Sequence, residues 1–159
     1  MPIILGIDPG SRITGFGIID VVGNKQRYIA SGSIHIAKST FGEQLKKIFA
    51  GISELMTLHH PEEAAIEQVF VHANVNSALK LGQARGAAIV AVAQSGISIA
   101  EYSARQVKQA VVGYGNAEKS QVQHMVKLLL KLQSEPQADE ADALAIAICH
   151  ANSRRGFNL

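Results

Sequence analysis

Residues 3–10 read IILGIDPG, and this stretch decides what fold the rest of the chain can take. Residues 3–7 are apolar or small without interruption, and Pro2 stands before them. Such a run is typical of a strand buried on both faces, as in the centre of an α/β sheet. Asp8 ends this strand at a Pro-Gly turn, so its carboxylate should lie at an edge of the sheet. An ordinary Asp-Pro-Gly turn is the simpler interpretation.

The pattern of elements along the chain predicts the fold class. Two further strands are predicted over residues 14–22 and 27–36, with a turn at Gly23 and Asn24 between them, which makes an antiparallel meander. A helical period follows from residue 40 to 59. The remaining predictions are a strand over residues 64–67, a helix over 77–95, a strand over 97–102 and helices over 104–112, 120–132 and 138–152. We therefore expect a mixed five-stranded α/β sheet, three antiparallel strands and then parallel ones, with helices on both faces.

Composition narrows the class of protein. With 159 residues, 47% of them hydrophobic and 18% charged, residues 1–159 are expected to form a single domain. Cys149 is the only cysteine, and the chain opens without a secretory leader pattern, so we predict a cytoplasmic protein without disulfides. Its least polar stretch, residues 86–100, contains Gln94 and is shorter than the roughly 18 residues of a membrane span. We expect no membrane association.

Four acids are the strongest candidate functional residues. Asp8 and Glu67 each end an apolar strand, and an unpaired acid at such a place is costly. Asp139 and Asp142 lie three residues apart at the start of the last predicted helix, which puts both carboxylates on one face. Glu140 occupies the same turn but points elsewhere. For Asp139 and Asp142 the simpler interpretation is an acid pair favoured by the helix dipole.

Taken as a set, the four acids predict a site for a hard divalent cation. Carboxylate oxygens suit Mg²⁺, with Mn²⁺ as a substitute, whereas Zn²⁺ would call for clustered His or Cys. The six His are scattered. One or two ions per subunit fit the carboxylate count, and two could activate a water and stabilise the leaving oxygen of a phosphodiester. When these four are set aside, the chain has nine Asp and Glu against fifteen Lys and Arg. The remaining surface is therefore cationic, which suits the binding of phosphates. The leading hypothesis is a metal-dependent nuclease.

The chain resembles the RuvC-type Holliday junction resolvases of the ribonuclease H-like superfamily, because several of its motifs match motifs of that family and occur in the same order. The resemblance extends over the whole chain. The matching words are ILGIDPGSRITGFGII from Ile4, AIEQVF from Ala65, SALKLGQARG from Ser77, ARQVKQ from Ala104, AEKSQVQHMV from Ala117 and QADEADALAIAI from Gln137.

This resemblance implies a fold, an activity and partners. It implies a ribonuclease H-like fold in which Asp8, Glu67, Asp139 and Asp142 are the metal-binding catalytic acids. It also implies a homodimer that binds a four-way DNA junction in recombination and repair. That dimer would hydrolyse two strands of like polarity and leave 5′-phosphate and 3′-hydroxyl ends. RuvA and RuvB, which bind junctions and drive branch migration, would be partner proteins.

The resemblance also suggests DNA contacts. Lys108 and Lys119 would lie near the scissile phosphate, where an ammonium group can bind a phosphate oxygen; the alternative is two solvated helix faces. Phe70 would stack on an unpaired base at the junction centre, unless it packs in the core. Weaker candidates for backbone contacts are Arg12, Lys80, Arg85, Arg105, Lys127 and Lys131.

The helix predicted over residues 77–95 has one smooth face, with Gly82, Gly86 and several Ala. Such a face could pack on its own sheet or against a second copy of the chain as a two-fold dimer. The resemblance favours the dimer.

Two other functions are compatible with parts of the sequence. The GIDPG motif followed by Gly15 and Gly17 also resembles the phosphate loop of actin-like and sugar-kinase ATPases. Those proteins need a second lobe, for which 159 residues leave no room. The other possibility is a non-catalytic junction-binding module in which the four acids are structural.

Overall fold

The computed structural model describes residues 2–36, 39–69 and 74–155, the last without the Arg155 side chain. Five strands and five helices lie in this part of the chain. In order they are β1 (Ile3–Asp8), β2 (Ile13–Val22), β3 (Lys25–His35), α1 (Phe41–His59), β4 (Glu63–Glu67), α2 (Val75–Ala93), β5 (Ile99–Tyr102), α3 (Ala104–Val111), α4 (Lys119–Leu129) and α5 (Ala138–Arg155).

The strands form one mixed sheet in the order β3-β2-β1-β4-β5. The β1–β2 and β2–β3 pairs are antiparallel, whereas β4 pairs parallel with both β1 and β5. The first three strands are joined by short turns, and the parallel ones by the crossover helices α1 and α2, as parallel pairing requires. The predicted mixed sheet is confirmed. It makes the carboxyl ends of β1 and β4 neighbours, with Ile7 opposite Ile66 as their last pair.

Helices cover both faces of the sheet, as predicted. On one face α1 and α2 bury Ile48, Ile52 and Ala88 against the sheet. On the other face α3, α4 and α5 surround a second core that contains Val107, Val126 and Leu144. Burial of each large aliphatic side chain contributes about 1.5–3 kcal/mol, so both layers hold the sheet in place.

α5 lies directly on the backbone of β1 and β2, because the sheet carries glycine where the helix crosses it. An added Cβ at Gly6 would lie 2.9 Å from the Ala147 nitrogen, and one at Gly17 would lie 2.7 Å from the Leu144 nitrogen. Alanine is the main residue on the helix side of this contact. This close approach fixes the start of α5 at the carboxyl end of β1.

Some element ends differ from the sequence prediction. α2 begins at Val75, not at Ser77, because the Asn74 side chain accepts a hydrogen bond from the Ser77 N–H at 3.2 Å and caps the helix there. α4 ends at Leu129 and not at residue 132. Just beyond it, Lys131 adopts the left-handed conformation with φ of 54°. A residue in that conformation ends a helix.

Among the residues described, none of the helices combines the length and apolar character that crossing a bilayer would require.

Candidate active site

Three of the four predicted acids line one cavity of about 270 Å³. Asp8 and Glu67 reach it from the carboxyl ends of β1 and β4, and Asp142 reaches it from the first turns of α5. Lys108 of α3 and Lys119 of α4 line the same cavity, and its apolar wall consists of Ala104, Val107 and Val122. Residues that are 134 positions apart, such as Asp8 and Asp142, therefore meet at one end of the sheet.

Register explains why Asp8 faces this cavity. Asp8 pairs with Gly15 of β2, and side chains alternate along a strand, so Asp8 shares a face with Gly6, which contacts α5. Gly15 has no side chain, and the backbone of Asp139 occupies that space. The acid at the end of the strand therefore lies beside the first turn of the helix that carries the other two acids.

Asp139 lies beside the cavity and is not one of its lining residues. Its charge still acts on both Asp8 and Asp142. Glu140 points away, as predicted, and accepts a hydrogen bond from the Ser31 hydroxyl at 3.0 Å. Within residues 2–36, 39–69 and 74–155, no three His, Cys, Asp or Glu side chains stand close enough together to enclose a metal ion. The acids therefore lie around the same cavity, but their side chains are not close enough together to surround a metal ion.

Crowding of the carboxylates shows in their protonation. Burial raises the pKa of Asp8 from 3.8 to about 8, assisted by the charges of Asp142, Glu67 and Asp139, while Lys119 lowers it. Burial also raises the pKa of Glu67 and that of Asp142, and Lys108 and Lys119 partly oppose both shifts. Two lysines therefore do not neutralise the site. Hard oxygen donors that are difficult to ionise without a counter-charge fit a divalent cation such as Mg²⁺ or Mn²⁺.

The pKa of Asp8 predicts how stability of the metal-free protein depends on pH. Between pH 4 and 8 the folded protein holds a proton on Asp8 that the unfolded chain has released. Stability is therefore fully present below pH 4 and falls as pH rises toward 8. At ~1.4 kcal/mol per pKa unit, the shift from 3.8 to about 8 sets an upper limit of roughly 6 kcal/mol on this loss, and a third of that amount would lower Tm by ~4–8 °C for a chain of this size.

Thermal melts in chelator from pH 4 to 9 measure this loss. Comparison with Asp8→Asn cancels the contribution of the six histidines, and the Asn variant should show a flatter profile and a higher Tm at pH 8. Added Mg²⁺ should raise the wild-type Tm more at pH 8 than at pH 5. Identical dependence of Tm on pH in the two proteins would show that folding does not raise the pKa of Asp8.

The other predicted DNA contacts fall into three groups. Arg12, Lys80, Arg105 and Lys131 are solvent-exposed and Lys127 is half-buried, and all five remain candidates. Phe70 lies outside the described residues, so its predicted stacking role stays a prediction. Arg85 differs from all of these, because its side chain is only 17% exposed and bonds the main chain of Glu67 and the carboxylate of Glu101.

The phosphate-loop alternative does not fit the fold. Gly15 and Gly17 lie inside β2 and face α5, where helix packing explains the absence of side chains. They do not form a loop that could surround a nucleotide phosphate.

Comparison with known proteins agrees with this geometry. The family described as "Crossover junction endodeoxyribonuclease RuvC" matches residues 4–150. The RuvC of Hahella chejuensis is 57% identical over 154 residues, covering 97% of this chain and 90% of that protein. The RuvC of Pseudoalteromonas atlantica is 59% identical over 157 residues, covering 99% and 91%.

The chain belongs to the RuvC family. Thermus thermophilus RuvC, solved in complex with a Holliday junction substrate, superposes with a TM-score of 0.91 at 35% identity, covering 98% of this chain and 97% of that one. The yeast mitochondrial Holliday junction resolvase Ydc2 has the same fold, with a TM-score of 0.67 at 14% identity. The predicted ribonuclease H-like fold of the RuvC family is therefore confirmed.

Two features of this RuvC family site were not predicted from sequence. The first is the contact between Gly15 and Asp139, and the second is a hydrogen bond from Arg85 to the main chain of Glu67. The glycine spacing in GFG and the isolated arginine within an Ala-rich helix were the available signals. Neither signal identifies the partner residue.

Proposed function

We propose that this protein is a metal-dependent endonuclease that resolves four-way DNA junctions in recombination and DNA repair. The observation that carries the proposal is the cavity at the end of the sheet, where Asp8, Glu67 and Asp142 face Lys108 and Lys119. Membership of the RuvC family supports the choice of a DNA junction as substrate.

Asp8, Glu67, Asp139 and Asp142 would hold the cation, Mg²⁺ or Mn²⁺, as one or two ions per subunit. Bound there, a divalent cation supplies Lewis acidity toward the phosphate and lowers the pKa of the attacking water. The carboxylates orient the site and can accept the proton of that water.

Lys108 and Lys119 would bind the scissile phosphate. Both line the cavity opposite the acids, and both act on the carboxylates through their charge. An ammonium group in a cavity of this polarity stabilises negative charge that develops on the phosphate oxygens. Strand cleavage would leave a 5′-phosphate and a 3′-hydroxyl.

A homodimer would place two such cavities on one junction and produce symmetric cuts in strands of like polarity. The outer face of α2 supports self-association: Val75, Leu79 and Val90 are more than half exposed, and nothing lies within 4 Å of a Cβ added at Gly82 or Gly86. A self-complementary apolar helix face is what a two-fold interface requires.

The wider setting follows from the same proposal. Residues 1–159 would act as one nuclease domain in the cytoplasm, where the chromosome of a bacterial relative lies. RuvA and RuvB would deliver and move the junction. No membrane is involved in this function.

Incubation with synthetic DNA tests the proposal. A labelled four-way junction and a linear duplex of the same sequence are incubated with the protein in Mg²⁺ or in chelator. We expect paired cuts in the two junction strands of like polarity, ends that ligase can reseal, and no cutting in chelator. Binding of the junction without any cutting in Mg²⁺ or Mn²⁺ would support the non-catalytic module instead, and equal cutting of the linear duplex would contradict junction selectivity.

A further inference from the structure

Arg85, in the middle of α2, is mostly buried and bonds two groups of its own protein, although its charge suggests a DNA contact. Its Nε donates a hydrogen bond to the main-chain oxygen of Glu67 at 3.3 Å. Its Nη2 forms an ion pair with Glu101 of β5 at 2.5 Å. The guanidinium group therefore connects α2 to the ends of two neighbouring strands, and Glu101 neutralises the charge that a phosphate would need.

The hydrogen bond from Arg85 reaches Glu67 where the pairing of β4 with β1 has ended. The last pair between β1 and β4 is Ile7 with Ile66, so Glu67 stands one residue beyond that ladder. On the other side β4 stays paired with β5 through Tyr102, whose carbonyl accepts a hydrogen bond from the Gln68 N–H at 2.8 Å. Arg85 supplies a support at this free end of the strand.

Arginine is the residue that this bridge requires. Its planar group presents Nε and Nη donors in fixed directions, so one side chain can bond a carbonyl and a carboxylate at once. Lysine could keep the charge, but its single ammonium group is not shaped to hold both partners. This difference separates a bridging role from a simple electrostatic one.

We infer that Arg85 is a positioning residue that fixes the end of β4, and with it the Glu67 carboxylate, relative to Asp8. The inference rests on the proposed function of these acids as metal ligands. It assigns Arg85 a role different from the DNA contact that the sequence suggested.

Three variants and one control test the inference. Arg85→Ala removes both bonds of the Arg85 side chain, and Arg85→Lys keeps its positive charge. Glu101→Gln weakens the bond to residue 101 and leaves the arginine in place. The control is Arg27→Ala, which breaks an ion pair of the same 2.5 Å length with Asp20 at the other end of the sheet. For each protein we would measure Mn²⁺ affinity by electron paramagnetic resonance, junction affinity in chelator at several salt concentrations, and single-turnover cleavage at saturating junction.

If Arg85 positions Glu67, Arg85→Ala should weaken Mn²⁺ binding and slow cleavage by roughly 10–100-fold, because small misplacements of catalytic groups are costly. Arg85→Lys and Glu101→Gln should show smaller losses of the same kind, about 3–10-fold. Junction affinity and its salt dependence should stay as in the wild type, and Arg27→Ala should resemble the wild type in every measurement.

The opposite pattern would overturn the inference. A phosphate contact predicts that Arg85→Ala weakens junction binding and lowers the salt slope by about one, that Arg85→Lys restores binding, and that Mn²⁺ affinity is unchanged. Normal Mn²⁺ affinity in Arg85→Lys and Glu101→Gln would also overturn it, even if Arg85→Ala failed to fold. Because Mn²⁺ affinity does not depend on the DNA substrate, a wild-type protein that failed to cut junctions would disprove the proposed function without deciding the role of Arg85.

Discussion

Replacing any one of the four acids by its amide should nearly abolish junction cleavage and leave junction binding intact. Asp8→Asn, Glu67→Gln, Asp139→Asn and Asp142→Asn each remove a negative oxygen from the end of the sheet where these side chains gather. We expect single-turnover rates to fall by at least about 10²–10³-fold, the loss typical when one transition-state-stabilising group is removed. Junction binding should survive, because the affinity of a protein for DNA phosphates comes from its lysines and arginines.

The chain offers a matched control in the same helical turn. Glu140 follows Asp139 directly, but its carboxylate accepts a hydrogen bond from Ser31 on the sheet side and lies outside the cavity. Glu140→Gln should therefore cut at close to the wild-type rate. Cleavage measured on the same labelled junction compares all five variants, and near-normal turnover in any of the four predicted ligands would remove that residue from the site.

Gly15→Ala should strongly reduce cleavage although it leaves every acid in place. The added Cβ would overlap the carbonyl oxygen of Asp139 and lie 2.8 Å from its carbonyl carbon, and both atoms belong to the main chain. α5 must move outward, carrying Asp139 and Asp142 away from Asp8. We expect cleavage to fall by ~10²-fold and stability by about 1–3 kcal/mol, the usual range for overpacking.

Gly42→Ala is the control for this substitution. Gly42 lies in α1, and nothing stands within 4 Å of an added Cβ, so alanine should be neutral or slightly stabilising there. Rates at saturating junction and thermal melts of both variants separate the two effects. A Gly15→Ala protein that kept wild-type cleavage would show that the distance between α5 and β2 does not set the position of the acids.

Much of the fold could be predicted because local pattern and packing agree. The apolar run before Asp8 is central in the sheet, and the change of period after residue 40 marks α1. The predicted ends of helices and strands were wrong where a single residue determines the end of the element. Asn74 caps α2, so that the helix begins at Val75, two residues before the predicted start, and β5 begins at Ile99 because residues 97 and 98 pair with no strand.

The sequence predicted the acids that the structure brings to one end of the sheet, and it did not predict the groups that support them. A carboxylate at the end of an apolar strand is visible in sequence, since an unpaired acid at such a place is costly. The Arg85 bridge spans 18 residues to Glu67 and depends on how α2 lies across the sheet, which no local pattern specifies. Lys108 and Lys119 were assigned from family resemblance, and their position opposite the acids results from the packing of α3 and α4 on α5.

Direct location of the cation tests the central claim, which is that these distant acids form one metal site. Crystals of the protein soaked in Mn²⁺ would be measured at a wavelength where manganese scatters anomalously. We expect a peak in the cavity within about 2.0–2.3 Å of oxygens from Asp8, Glu67 and Asp142, and its loss in Asp8→Asn. A peak bound elsewhere on the chain, with this cavity empty at saturating Mn²⁺, would contradict the account.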